Sequence, residues 1–363
     1  IVGTSSKWLA SRIMCWISKD LRGGTLMMFG LTNAHAAGAL AIVMIGTAPE
    51  VNLMDSSVLN GTVMLILFSC IISSFATNEG ARKLALADLD TEENQGAWHG
   101  KCLVTYSQPD SVSLLTQLAL SIRNARIPDS LMGLTVTFND NEGEAEGYKE
   151  ARRMLEEAVS VASAAHVDMK TLSRLSTNVA GGILHTIREY DCGEVLVCLT
   201  DRTTGMPKSS LGPVIDHVIG GTNRQVMAVR LIVPPGTLRR LIVAVPQKAE
   251  YEAGFYKWLE HMCRMGEQFD CLLEFNAHPD TLSHIKSYMW RYHVSLRAEY
   301  IEMALWTKVL SLSQRAGADD LVVFISARPG FISYKSAFAG LPLQIHRYFS
   351  HTSVILLYPD QWS

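Results

Sequence analysis

Two stretches near the start of the chain carry no charged residue over the depth of a bilayer. From Leu26 to Gly46 the sequence reads LMMFGLTNAHAAGALAIVMIG, and from Val58 to Ala76 it reads VLNGTVMLILFSCIISSFA. About twenty apolar residues at helical rise cross a hydrocarbon core ~30 Å thick, so both are predicted spans. The polar connection holding Pro49 and Asn52 cannot continue a helix and predicts a hairpin. Apolarity alone fits two buried helices of a soluble core equally well, and flanking charge separates the readings. Lys7, Arg12, Lys19 and Arg22 precede the first stretch, Arg82 and Lys83 follow the second, and Glu50 and Asp55 lie between them without a cation. The positive-inside rule then puts both outer flanks in the cytoplasm. Residues 5–22 carry Trp8, Leu9, Ile13, Trp16 and Ile17 at near-helical spacing among basic residues, which predicts a helix in the headgroup region or a cytoplasmic connector.

Inside the first span Thr32, Asn33 and His35 are polar groups that hydrocarbon penalises unless they face helices or a watery cavity. They are the candidate ion-pathway residues. The competing reading is interhelical hydrogen bonding beside a small-residue face of Gly30, Ala34, Ala37, Gly38 and Ala41.

Beyond Gly80 the pattern changes. An acidic, turn-rich linker over 81–97 leads into alternating β-rich and amphipathic runs. Strands are predicted at Lys101–Tyr106, Leu131–Phe138, Val167–Leu172, Glu194–Thr200 and Gln225–Val233. Helices are predicted at Ser111–Asn124, Glu144–Ala164, Asn178–Tyr190 and Ile215–Ile219. After Pro234-Pro235-Gly236 the order repeats, with strands at Arg240–Val245, Cys271–Asn276, Ala298–Leu305, Asp320–Ser326 and Ser353–Tyr358. Helices there fall at Tyr251–Met265, Thr281–Trp290, Trp306–Ala316 and Leu343–Phe349. Such alternation builds parallel strands with helices on both faces. The expected architecture is therefore an α-helical transmembrane segment, residues 1–80, followed by α/β. The latter comprises two doubly wound, mostly parallel-sheet domains, 98–234 and 235–363.

Composition narrows the function. A net charge of −3 with 18% charged residues offers no basic surface for a phosphate backbone, so nucleic acid is excluded as a partner. The seven cysteines lack the spacing of a zinc site and read as buried thiols of a reducing compartment. Ser210, His217, His346 and His351 form no nucleophile elbow or metal spacing, which argues against an enzyme. Asp140, Glu142, Glu144 and Glu146 lack the spacing of a calcium loop and read as a solvated helix start. The chain opens on Ile1-Val2-Gly3 without a signal peptide's charged n-region and reads as a fragment of a longer protein.

The segment GLTNAHAAGALAIVMIG resembles the late core helix of monovalent cation:proton antiporters of the CPA2 type, and LPLQIHRYFSHTSVILLYPDQ resembles the close of such antiporters from Bacteroidetes. The α/β region resembles a tandem pair of universal-stress-protein domains. The resemblance implies a multi-pass protein of the cell inner membrane that exchanges Na⁺ or K⁺ for H⁺, with the lipid bilayer as partner and the C-terminal domains in the cytoplasm. It implies a homodimer, no cofactor, and an acidic ion site upstream of Ile1. Universal-stress-protein domains that bind ATP carry a Gly-x2-Gly-x9-Gly-Ser/Thr loop after the fourth strand. Here the candidate residues for a nucleotide ligand are Gly205, Ser209, Ser210 and Gly212 in one half and Gly330 and Gly340 in the other. Neither loop keeps the full spacing, and Tyr106-Ser107-Gln108 and Pro246-Gln247-Lys248 lack the acid usual after the first strand. The rival reading is a membrane-anchored signalling or scaffold protein with paired α/β domains.

Overall fold

The computed structural model describes residues 2–17, 24–33, 37–47, 53, 55–94, 100–125, 127, 130–138, 144–199, 210–294 and 296–361. They form two compact units, Ile1–Gly96 and Ala97–Ser363. His35, Asp140, Glu142, Gly205 and Ser209 lie outside the described residues.

The helical unit comprises α1 (Val2–Ile17), α2 (Gly24–Asn33), α3 (Ala37–Gly46) and α4 (Ser56–Asn94). Within α4, Ser57–Ala81 has a mean hydropathy of 2.0, and among the described residues it is the one helix long and apolar enough to cross a membrane. The first expected span is carried by α2 and α3, ten residues each, and α4 continues through most of the expected linker. A Cβ on Gly30 would stand 2.3 Å from Thr77 Oγ1, and one on Gly80 would stand 2.2 Å from the Met27 nitrogen. Glycine thus lets α2 and α4 meet backbone to backbone, the close packing that hydrocarbon favours in place of hydrophobic association. The register, Met27 at Gly80 and Gly30 at Thr77 and Ser73, makes the pair antiparallel.

The α/β unit is a single ten-stranded sheet. Its first five strands are β1 (Lys101–Tyr106), β2 (Leu131–Phe138), β3 (Met169–Ser176), β4 (Cys192–Cys198) and β5 (Gln225–Arg230). The second five are β6 (Arg240–Ala244), β7 (Leu272–Ala277), β8 (Ala298–Glu302), β9 (Asp320–Ile325) and β10 (Ser353–Tyr358). The spatial order is β3-β2-β1-β4-β5-β10-β9-β6-β7-β8, so each half runs 3-2-1-4-5 and the halves meet edge to edge. Every pairing is parallel except the join, where Val354 to Tyr358 run antiparallel to Arg230 to Val226. The central strands β4, β9 and β10 are buried almost throughout, matching their unbroken apolar runs, because helices cover both faces. The covering helices are α5 (Val112–Ile122), α6 (Glu144–Ala164), α7 (Val179–Glu189), α8 (Pro213–Gly221), α9 (Phe255–Phe269), α10 (Pro279–Arg291) and α11 (Leu341–Tyr348).

Three expectations need correction. The predicted helix over 306–316 is a 3-10 helix, Trp306–Gln314. The helix expected to start at Tyr251 starts at Phe255. Residues 249–251 instead form a 3-10 turn after Lys248 at φ 72°, and Gly254 lies against the Asp360 backbone. The cysteines are not uniformly buried: Cys102, Cys192, Cys263 and Cys271 are, whereas Cys70 is exposed and Cys198 half-buried.

Candidate functional site

Of the candidate ion residues, Thr32 and Asn33 sit where α2 ends. The last carbonyls of a helix have no partner of their own, and here the Lys7 ammonium of α1 donates to the Thr32 carbonyl at 2.5 Å. The Thr32 hydroxyl turns back to donate to Met28 O at 2.7 Å. Asn33 is 2% exposed, and its Nδ2 has no hydrogen-bond partner among the described residues. The Ser73 hydroxyl on α4 is in the same position, 5% exposed and unpartnered. With Gly30 facing Ser73 and Thr77, Asn33 falls one turn further along the same seam. An orphaned amide and hydroxyl between apolar helices cost free energy unless water, an ion or another chain segment satisfies them. The sequence singles out Thr32 and Asn33 as candidates and gives no signal for Lys7 or Ser73, which the structure places beside them. Lys7 passes for a flanking charge, and a serine in an apolar run carries no signal of its own.

Among the described residues, parts of the loops expected to receive a nucleotide are bonded to carboxylates of the chain itself. In the first half the Asp216 carboxylate accepts from Leu211 N at 2.9 Å and from the Ser210 hydroxyl at 2.5 Å. Gly212 N in turn donates to Ser210 Oγ at 3.0 Å. The two amides just ahead of α8, Leu211 N and Gly212 N, are thereby engaged, and Gly212 at φ 118° makes the turn into the helix. In the second half the Glu252 carboxylate accepts from Ser333 N at 2.9 Å. Arg328 fixes the start of that loop by donating to Ile219 O, Arg224 O and Pro359 O at 2.7–3.1 Å. Gly330 takes φ 93°, but Gly340 has an ordinary negative φ and caps α11, so only the first needs to be glycine. A cleft lined by Leu199, Ser210, Leu211, Arg230, Pro342, Ile345 and His346 offers about 10 Å³, room for a single water.

The densest buried chemistry lies at the join. Lys257 of α9 donates to Gly193 O and Asp360 Oδ2, both at 2.8 Å, and stands 3.4 Å from Glu194 Oε2. All three side chains are about 5% exposed or less. Burial pushes the Glu194 carboxyl up, Lys257 opposes that, and Asp360 adds to it. One turn on, Gln225 Nε2 lies 2.7 Å from His261 Nδ1, and burial with Lys257 and Arg264 holds His261 well below its usual pKa, so the ring is neutral and accepts. Arg264 donates to Ile122 O and Arg123 O, closing the last turn of α5. Lys257, Glu260, His261 and Arg264 form a polar stripe at helical spacing, a pattern that by itself does not say what covers it, and the sequence alone does not single these residues out.

Burial likewise raises the thiols of Cys192 and Cys263 to about 12 and of Cys271 to about 11, which leaves them inert as nucleophiles. Among the described residues no cluster of His, Cys, Asp and Glu could hold a metal ion.

Among the described residues, a helix long and apolar enough to cross a membrane and a doubly wound sheet with two 3-2-1-4-5 halves define the class: a two-unit protein with a helical part and an α/β part. No protein-family model matches the chain. The chain is similar to the Na(+)/H(+) antiporter NhaS5 of Synechocystis sp., 23% identical over 300 residues, covering 75% of this chain and 43% of that protein. It thus spans less than half the length of that relative. Among solved structures, a universal stress protein from Archaeoglobus fulgidus is similar at TM-score 0.49 and 12% identity, over 72% of this chain and 97% of that one. The cytoplasmic domain of a prokaryotic cation chloride cotransporter is similar at TM-score 0.47 and 11% identity, over 73% and 98%.

Proposed function

We propose that this chain is the C-terminal part of a multi-pass secondary transporter that exchanges Na⁺ or K⁺ for H⁺, with Ala97–Ser363 as its cytoplasmic regulatory domain. The observation that carries the reading is the similarity to a Na(+)/H(+) antiporter over 75% of this chain, beside a helix long and apolar enough to cross a membrane. The seam of Thr32, Asn33 and Ser73, with Lys7 on the Thr32 carbonyl, is the part of the ion pathway that this chain supplies. Polar groups at that depth are tolerated where they face a watery cavity, and a lysine there competes with a transported cation for the same carbonyl end of α2. His35 belongs to the same stretch of sequence.

The regulatory domain works without a nucleotide in this reading. Near Ser210 and Gly212 the Leu211 amide is engaged by Asp216, and in the loop of Gly330 and Gly340 the Ser333 amide is engaged by Glu252; a carboxylate in that position repels a phosphate. The edge through which two such sheets could pair is consumed by β5 and β10 within one chain, so a homodimer forms through other surfaces. The rival reading, a scaffold merely tethered by its helices, assigns no transport role to the seam.

The test is cation-driven dissipation of a pH gradient in everted vesicles carrying the complete protein. Asn33→Leu and Lys7→Gln are expected to lower exchange or shift its pH profile, and truncation after Gly96 to leave exchange but alter its regulation. Exchange unaffected by both substitutions would remove the seam from the pathway.

A further inference from the structure

We infer that the segment after β10, Pro359 to Gln361, is a latch that holds the two halves of the sheet together as one body. β10 runs antiparallel to β5, with Tyr358 opposite Val226, so the chain leaving β10 arrives where the chain enters β5. Gln361 N donates to Asn223 O at 2.9 Å, three residues beyond Tyr358 and three before Val226, which keeps the register of the ladder. Pro359 has no N–H to give, so β10 ends at Tyr358, yet the pairing resumes beyond it. The segment is buried although it has no regular structure: Pro359 is buried and Asp360 is 4% exposed.

Both halves grip it. From the second half, Arg328 donates to Pro359 O at 2.7 Å and Lys257 to Asp360 Oδ2 at 2.8 Å. The same two cations reach into the first half, Arg328 to Ile219 O and Arg224 O and Lys257 to Gly193 O. Each side chain that holds the segment therefore also holds the first half. Gly254, at the start of α9, lies against the segment's backbone: a Cβ there would stand 2.5 Å from Asp360 O and 2.6 Å from Asp360 N. Its φ is −79°, so the close approach, and not the backbone conformation, is what requires glycine.

The equivalent place after β5 is held differently. There Ile232 is 45% exposed, and its amide donates to the Ser353 hydroxyl at 3.0 Å. One end of the join is thus fastened by buried backbone and buried cations, and the other carries an apolar residue in solvent. Proteins open in contiguous cooperative units, and the contacts that cross between two units decide whether they open together. With the segment in place the halves open together. With it lifted, the β5–β10 join opens while the far strands of each half stay closed, and one half is free to move against the other. The latch is a property of the sheet and holds whether or not the chain transports.

The test is hydrogen–deuterium exchange on the full chain in detergent, with two variants. Gly254→Ala crowds the segment without altering it, and Gln361→Pro removes its ladder donor. Expected in both is several-fold faster exchange of the β5 and β10 amides that face the join, with β2 and β7 amides at wild-type rates. Faster exchange spread evenly over the sheet would overturn the latch, because the segment would then add stability without tying the halves together. Unchanged exchange at the join would overturn it as well. Should Gly254→Ala fail to fold, seen as unprotected β2 and β7, Gln361→Pro alone decides between these outcomes.

Discussion

Each half of the sheet carries a buried acid at the start of its fourth strand, and the two acids are answered differently. Asp320 on β9 is met within its own half by Arg240, which also reaches Glu274, and Arg315 completes that cluster. Glu194 on β4 is met from the other half, by Lys257 on α9, which also holds Asp360 beyond β10. The second half is therefore internally neutralised, whereas the first depends on its neighbour for a counter-charge. A hydrophobic edge could join two sheets in several registers. A lysine shared by two buried carboxylates accepts one, which is the best-attested use of a buried ion pair.

Breaking that dependence has the largest expected effect. Lys257→Met strands two carboxylates in the core and is expected to cost about 3–5 kcal/mol, read as a fall in the urea midpoint. Adding Glu194→Gln and Asp360→Asn should recover most of it. Arg240→Met, at a more exposed position, should cost clearly less; equal losses would erase the distinction between the halves.

Arg328 comes next. It is 7% exposed and bonds two carbonyls of the first half and one after β10, so Arg328→Met is expected to cost about 3 kcal/mol by leaving buried acceptors unmet. A loss within 0.5 kcal/mol, the range of about ±0.5 for surface substitutions, would show that water replaces it.

A smaller effect follows from pH. Glu194 is raised in the fold, so its contribution is present below its ordinary pKa and lost as pH rises through the raised value. His261 is depressed, so its contribution is present above its ordinary 6.5 and lost as pH falls through the depressed value. Glu194→Gln should flatten the alkaline limb of the stability curve and His261→Gln the acid limb. Curves that change on the same side in both variants would contradict the assignment.

The smallest effect separates two glycines. Gly330→Ala, at φ 93°, is expected to cost about 1–2 kcal/mol. Gly340→Ala, where a Cβ meets Gln344 at an ordinary 3.6 Å, should change stability by less than about 0.5 kcal/mol.

Much of the fold could be read from pattern. Lys101–Tyr106, Leu131–Phe138, Glu144–Ala164 and Ser353–Tyr358 have the predicted bounds, because each is an apolar run or amphipathic stretch set off by turn residues. The join could not be read. Gln225 to Arg230 and Ser353 to Tyr358 look like any closing strands, and nothing local says that they pair with each other and in opposite directions. For the same reason nothing marks Lys257 and His261 as buried: periodicity reports that a face is polar, not what covers it. In the helical unit Thr32 and Asn33 were legible as polar residues in an apolar stretch. Ser73 became visible only through Gly30, whose missing side chain brings α4 against α2.

The most direct test of cation:proton exchange is flux through the purified complete protein in proteoliposomes loaded with a pH-sensitive dye. Addition of Na⁺ or K⁺ should collapse an imposed pH gradient with saturable dependence on the cation, and Asn33→Leu should weaken that response. A gradient that neither cation disturbs, with the protein folded and inserted, would contradict transport and leave the tethered scaffold.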